Sequence, residues 1–228
     1  MPPAPESDRA ASVPFWGLSA CWMVVLTFSF TLQQVVIVHL GKPYDAYLAL
    51  SGYGMKSGHL WELFTCQLLH CGPAHLLVNL VGLWFLGRVV EGALGNRRFL
   101  CLCLGASLAG VLLQGGAALT GFLLPESIES LAGWVRERFG GPVSGSSISL
   151  GAIVAAFCRM RPERRVCLLL VGPVKAAHLF WLALSVAVLL VIVPSNPDLA
   201  HLAHLGAMVA AMAMLRRGCL GGAAVSES

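Results

Sequence analysis

Three short stretches hold side chains able to do chemistry together: "HLLVN" (75–79), "GSSIS" (145–149) and "HLAHLGA" (201–207). A serine hydroxyl is a weak nucleophile until a neighbouring imidazole takes its proton. The chain offers Ser146, Ser147 and Ser149 within four positions, and His201 and His204 one helical turn apart. His75 and Asn79 are spaced i, i+4 and share one helix face. Taken alone, such a pair reads as polar glue between helices. Beside a Ser–His pair, the two become donors suited to a developing oxyanion.

The serines differ in the face that each extends. From Ser147 the face runs through Gly151, Ala155 and Cys158, all small. His204 heads a matching small stripe through Ala207 and Ala211, and small stripes let two helices approach closely. Ser149 shares its face with Ile153, Ala156, Phe157 and Met160, whose bulk would hold the His204 helix away. Packing therefore selects Ser147 as the serine facing His204, with Ser149 as the second choice of nucleophile. Ser146 sits at the start of the helix, where serine commonly caps. No Asp or Glu falls at the same depth, Asp198 lying at a loop edge, so the expectation is a Ser–His dyad.

What must position these residues is a membrane protein. Of 228 residues, 57% are hydrophobic and 11% charged, too little charge to form a polar skin around so apolar a core. Apolar runs at 16–38, 76–90, 99–124, 148–158, 176–194 and 199–215 reach or approach spanning length. The expectation is an all-α fold of six transmembrane helices over 14–216, between flexible tails at 1–13 and 217–228. The first run has no small-x-small cleavage site and reads as a retained helix. Eleven of the 15 Lys and Arg fall on one side if both termini are cytoplasmic, the sense of the positive-inside rule. Topology accounts for the net charge of +4, so nucleic acid is not implied. In this topology runs two, four and six begin at the external side, which brings His75, Asn79, Ser147, Ser149, His201 and His204 to one depth. The external segment 39–74 is too aromatic for a solvated loop and is expected to embed partly as short interfacial helices. It carries Cys66 and Cys71, which could bridge; most of the eight cysteines sit in or beside apolar helices and read as small hydrophobes. There is no internal repeat, and nothing in the sequence sets an oligomeric state.

The three motifs resemble the rhomboid family of intramembrane serine proteases. H-x-x-x-N is His75–Asn79, G-x-S-x is Gly145–Ile148, and A-H-x-G is Ala203–Gly206. "LWELFTCQLLH", "LWFLGRVVEGALGNRRFL" and "RMRPERR…VGPVKA" are similar to the family's connecting phrases, so the likeness covers about 57–215. The resemblance implies Ser147 as nucleophile and His204 as general base. It implies His75 and Asn79 as oxyanion-hole side chains, assisted by the Ser147 backbone N–H. It further implies six helices around a water-filled cavity, a serine-type endopeptidase without cofactor or metal, and transmembrane protein substrates; the short polar tails favour the bilayer of a bacterial plasma membrane. Four positions depart from the family: Ile148 replaces the usual glycine after the serine, Gly151 replaces the usual aromatic stacked on the histidine, and Ala207 and Ala211 replace usual glycines of the sixth helix.

Two other readings compete. A catalytically inactive rhomboid-like protein would bind membrane clients, although such proteins typically lose the serine or histidine that this chain keeps. A metal or proton transporter would use His70, His75, His201 and His204 as ligands, but Glu91 is the one carboxylate its helices offer.

Overall fold

The computed structural model describes residues 17–41, 45–168, 172–192 and 201–216. The expected tails at 1–13 and 217–228, and Asn196 and Asp198, lie outside these residues. The described chain is mostly helical: α1 Leu18–Leu40, α2 Pro73–Leu94, α3 Asn96–Leu123, α4 Glu129–Phe139, α5 Ser147–Met160, α6 Ala176–Ile192 and α7 His201–Arg216. One amendment to the all-α expectation is a two-stranded antiparallel hairpin, β1 Arg165–Leu168 with β2 Gly172–Lys175, linking α5 to α6.

Among the described residues three helices are long and apolar enough to cross a membrane: Leu18–Ile37, Pro73–Leu94 and Asn96–Leu123; α5 and α6 are shorter apolar helices. The distribution of polarity is that of a membrane protein. Phe28, Leu77, Phe85, Trp181 and Ile192 are exposed, whereas Gln33, Asn79, Glu91, Ser107, Gln114 and Ser149 are buried. Lipid tolerates an apolar exterior, and costly polar groups collect inside, where partners exist.

Local sequence explains the ends that matter. Pro73 opens α2, where its missing N–H costs nothing. A single π-helical turn, Leu83–Gly87, interrupts this helix. At its far end Glu91 turns into the start of α1, and its carboxylate accepts from Leu18 N (2.5 Å), Ser19 N (2.9 Å) and Ser19 Oγ (2.7 Å). A buried carboxyl group thus meets the open N–H groups that start α1, which joins the two helices antiparallel.

Helix α7 packs against α3 and α5 through small residues. Ala203, Ala207 and Ala211 are fully buried, as are Ala152 and Ala155 of α5. Gly206 approaches so closely that a Cβ there would lie 3.0 Å from Gly110 Cα. The segment after α1 forms helical turns at Asp45–Leu48, Gly52–Lys56 and Glu62–Thr65, as its aromatic composition anticipates. Buried Glu62 organises it, accepting from Ser51 N at 2.9 Å and lying 3.2 Å from His59 Nδ1. Leu50 and Val143 exchange both backbone hydrogen bonds (3.0 and 2.8 Å), and Gly145 N donates to Cys66 O at 2.9 Å. These bonds fix the loop to the strand-like lead into α5.

Candidate active site

Ser147 is the first residue of α5, and His204 lies one turn into α7. Ser147 Oγ stands 2.8 Å from His204 Nε2. The two helices pack closely below this contact: a Cβ on Gly151 would sit at ordinary van der Waals distance, 3.6 Å from Met208 Cγ and 3.7 Å from His204 O. The hydroxyl also lies at the amino end of a helix. First-turn N–H groups there lack intrahelical acceptors, and the helix dipole favours negative charge.

Gly145 shapes the approach. Its φ of +132° is a conformation that side-chain-bearing residues rarely adopt. A Cβ there would fall 2.6 Å from His75 Cε1, 2.9 Å from His75 Nε2 and 3.2 Å from Ser147 Oγ. The imidazole of His75 and the serine hydroxyl therefore flank one point above Gly145. Asn79, fully buried, donates through Nδ2 to His75 O at 3.0 Å, and its Oδ1 has no partner among the described residues. An amide nitrogen carries two N–H groups, so this bond occupies half of what Asn79 can donate.

The neighbouring serines are engaged elsewhere. Ser149 Oγ lies 2.9 Å from Gln67 Oε1 and 2.7 Å from Ser107 Oγ, in a buried network facing α3. Ser146 occupies the N-cap position, but its side chain makes no capping bond. Instead its Oγ is 3.2 Å from His70 Nε2; the buried imidazole takes the hydroxyl that the capping expectation assigned to the helix N–H groups. His70 is itself held by Gln33, which donates to His70 O at 2.6 Å and accepts from His70 N at 3.1 Å. Burial, and then the nearby His75, push the His70 imidazole down to about 4. Cys66 is buried and Cys71 exposed, and both are free thiols. Cys71 Sγ rests 3.1 Å from His75 Nδ1. Among the described residues no three His, Cys, Asp or Glu side chains gather as metal ligands.

Sequence reasoning overlooked Gln33, Gln67, Ser107 and Glu62 as members or supports of this region. The available signal was the same as for His75, a polar residue at membrane depth. Gln33 sits inside an 18–37 run that otherwise reads as a plain span.

Residues 57–219 match the rhomboid domain. Rhomboid protease GlpG of Salmonella choleraesuis (strain SC-B67) is 26% identical over 157 residues, covering 69% of this chain and 46% of that relative. The protein of the same name from Salmonella newport (strain SL254) matches at the same identity and coverage. The chain thus matches about half the length of these curated relatives.

Proposed function

The chain belongs to the rhomboid family, and on that premise we propose that it is an intramembrane serine endopeptidase that cleaves transmembrane protein substrates with a Ser147–His204 dyad. The observation that carries this reading is the 2.8 Å approach of Ser147 Oγ to His204 Nε2 across two packed helices.

The chemistry follows from the groups present. His204 Nε2 takes the Ser147 proton as Oγ attacks the scissile carbonyl, giving a tetrahedral oxyanion. His75 Nε2–H, an Asn79 N–H and the Ser147 backbone N–H serve as its donors, each of the kind whose loss typically lowers kcat by about 10²–10³. Collapse breaks the C–N bond, and the departing amine receives the proton from His204. Water, activated by the same imidazole, then attacks the acyl-serine and restores the hydroxyl. A dyad suffices because the base needs one correctly placed nitrogen, and the partial positive charge of the α5 terminus assists the oxyanion.

In the topology proposed here α1, α2, α3, α5, α6 and α7 span the membrane with both termini cytoplasmic. The site then lies near the external side of a bacterial inner membrane, with segment 39–74 as a partly embedded first loop. This sense is supported by the arginines at the ends of α5 and α7, remote from Ser147 and His204.

The test is labelling of purified protein with a fluorophosphonate probe, together with cleavage of a reconstituted model transmembrane substrate. Labelling should map to Ser147, and Ser147→Ala and His204→Ala should each abolish cleavage. Labelling at another serine, or cleavage surviving Ser147→Ala, overturns the assignment.

A further inference from the structure

At the end of the bundle opposite Ser147, a groove of about 590 Å³ lies between the close of α5, the start of α6 and the close of α7. Its walls include Phe180, Trp181, Val209 and Met212, and Arg159 and Arg216 also line it. Trp181 and Val209 are exposed, at 64% and 57%. Neither arginine makes an ion pair among the described residues.

The surrounding charge has one sign. Between 159 and 175 stand Arg159, Arg161, Arg164, Arg165 and Lys175 against a single acid, Glu163. That acid is already held by Lys175, Oε2 to Nζ 2.7 Å. The connection from α5 through the hairpin, which carries these cations, is tied to the groove, since Ala176 N at the start of α6 donates to Arg164 O at 2.8 Å. An apolar trough ending in two guanidinium groups is amphiphilic in the same sense as a phospholipid. Hydrocarbon fits the walls, and a phosphate accepts paired N–H bonds from arginine. Basic pockets between helices at a membrane face are suited to anionic headgroups.

We propose that this groove binds one anionic phospholipid, its acyl chain along Phe180, Trp181, Val209 and Met212 and its phosphate between Arg159 and Arg216. Neutral lipid would contact the same walls without that preference. The site is remote from the Ser147–His204 pair and does not depend on the proposed peptidase activity.

Trp181 provides the readout. The full-length protein is reconstituted in phosphatidylcholine vesicles containing a minor fraction of brominated-acyl phosphatidylglycerol or, in parallel, brominated-acyl phosphatidylcholine. The signal of Trp181 is the difference between the protein and its Trp181→Phe variant. Brominated phosphatidylglycerol should quench it at least about two-fold more strongly than the choline lipid at equal content. Arg159→Gln/Arg216→Gln should remove that excess, whereas Arg159→Lys/Arg216→Lys should keep most of it. Arg97→Gln/Arg98→Gln, two exposed arginines that do not line the groove, should leave it unchanged. Equal quenching by the two lipids in the unsubstituted protein overturns the proposal without any variant having to fold. So does an excess that survives the Arg159/Arg216 double glutamine variant, or one that Arg97→Gln/Arg98→Gln also abolishes, since that means diffuse surface attraction.

Discussion

Gly110 of α3 and Ala203 of α7 meet backbone to backbone. A Cβ on Gly110 would lie 2.2 Å from Ala203 O and 3.0 Å from Ala207 N. Ala203 immediately precedes His204, so this crossing sets how near the imidazole comes to Ser147. Backbone cannot rotate away as a side chain can. Gly110→Ala should therefore displace α7, lowering stability by about 1–3 kcal/mol. A displacement near 1 Å would reduce kcat about 10²-fold. Gly116, on the same helix, has nothing within 4 Å of its Cβ position, so Gly116→Ala should leave both unchanged or raise stability slightly. Thermal unfolding and cleavage kinetics on the two variants check the contrast.

Ser149 and Ser147 should separate in opposite directions. Ser149 Oγ joins Gln67 and Ser107 across the core, so Ser149→Ala leaves buried polar atoms short of a partner. That costs about 1–3 kcal/mol of stability while Ser147 remains available for labelling by a serine probe. Ser147→Ala should cost little stability and abolish labelling. A stable, unlabelled Ser149→Ala protein would reverse the roles.

Cys71 should make the proposed peptidase activity sensitive to thiol reagents. It is exposed, and its Sγ lies 3.1 Å from Nδ1 of His75. Whenever the thiol is the donor in this contact, the ring proton stays on Nε2, the nitrogen that faces Gly145 and Ser147. A bulky adduct on sulfur would remove that bond and push the ring. Methanethiosulfonate treatment should lower kcat by at least about tenfold, consistent with a disturbed oxyanion donor, and dithiothreitol should restore it. Cys71→Ser keeps a donor and should retain activity while losing the sensitivity. Inactivation of Cys71→Ser by the reagent would locate the effect elsewhere.

Much of this arrangement was legible because membrane depth makes polar residues scarce. His75, Asn79, Ser147 and His204 stand out against apolar runs, and the size of the residues at 151, 155 and 158 favoured Ser147 over Ser149. Contacts made through chain reversal were less legible. Nothing local to Glu91 says that it closes the start of α1, 72 positions away from Ser19. Glu62 likewise looks like an acid at an interface, yet it is fully buried and holds Ser51. Ser146 appeared to be a cap because local spacing favoured one, and a histidine 76 positions away claimed its hydroxyl instead. The sequence pattern identifies the side chains that need partners; the fold chooses those partners.

That histidine leads to a prediction about acid. The His70 side chain is fully buried, and its imidazole is pushed from an ordinary 6.5 down to about 4, first by burial and then by His75. Between those two values the unfolded chain binds a proton that the folded chain refuses. Stability therefore rises with pH across this window, is fully present above 6.5, and is lost as pH falls toward 4. The whole window is worth roughly 3 kcal/mol. Acid would also compromise the 3.2 Å contact to Ser146 whenever Nε2 serves as its acceptor, because a charged imidazole only donates. Thermal unfolding in mild detergent, followed by tryptophan fluorescence, should show a falling midpoint between pH 7 and pH 4.5. His70→Gln does not titrate and retains an amide that can bond Ser146, so it should flatten that slope even if its midpoint at pH 7 is lower. An unchanged slope in His70→Gln would assign the acid sensitivity to other groups.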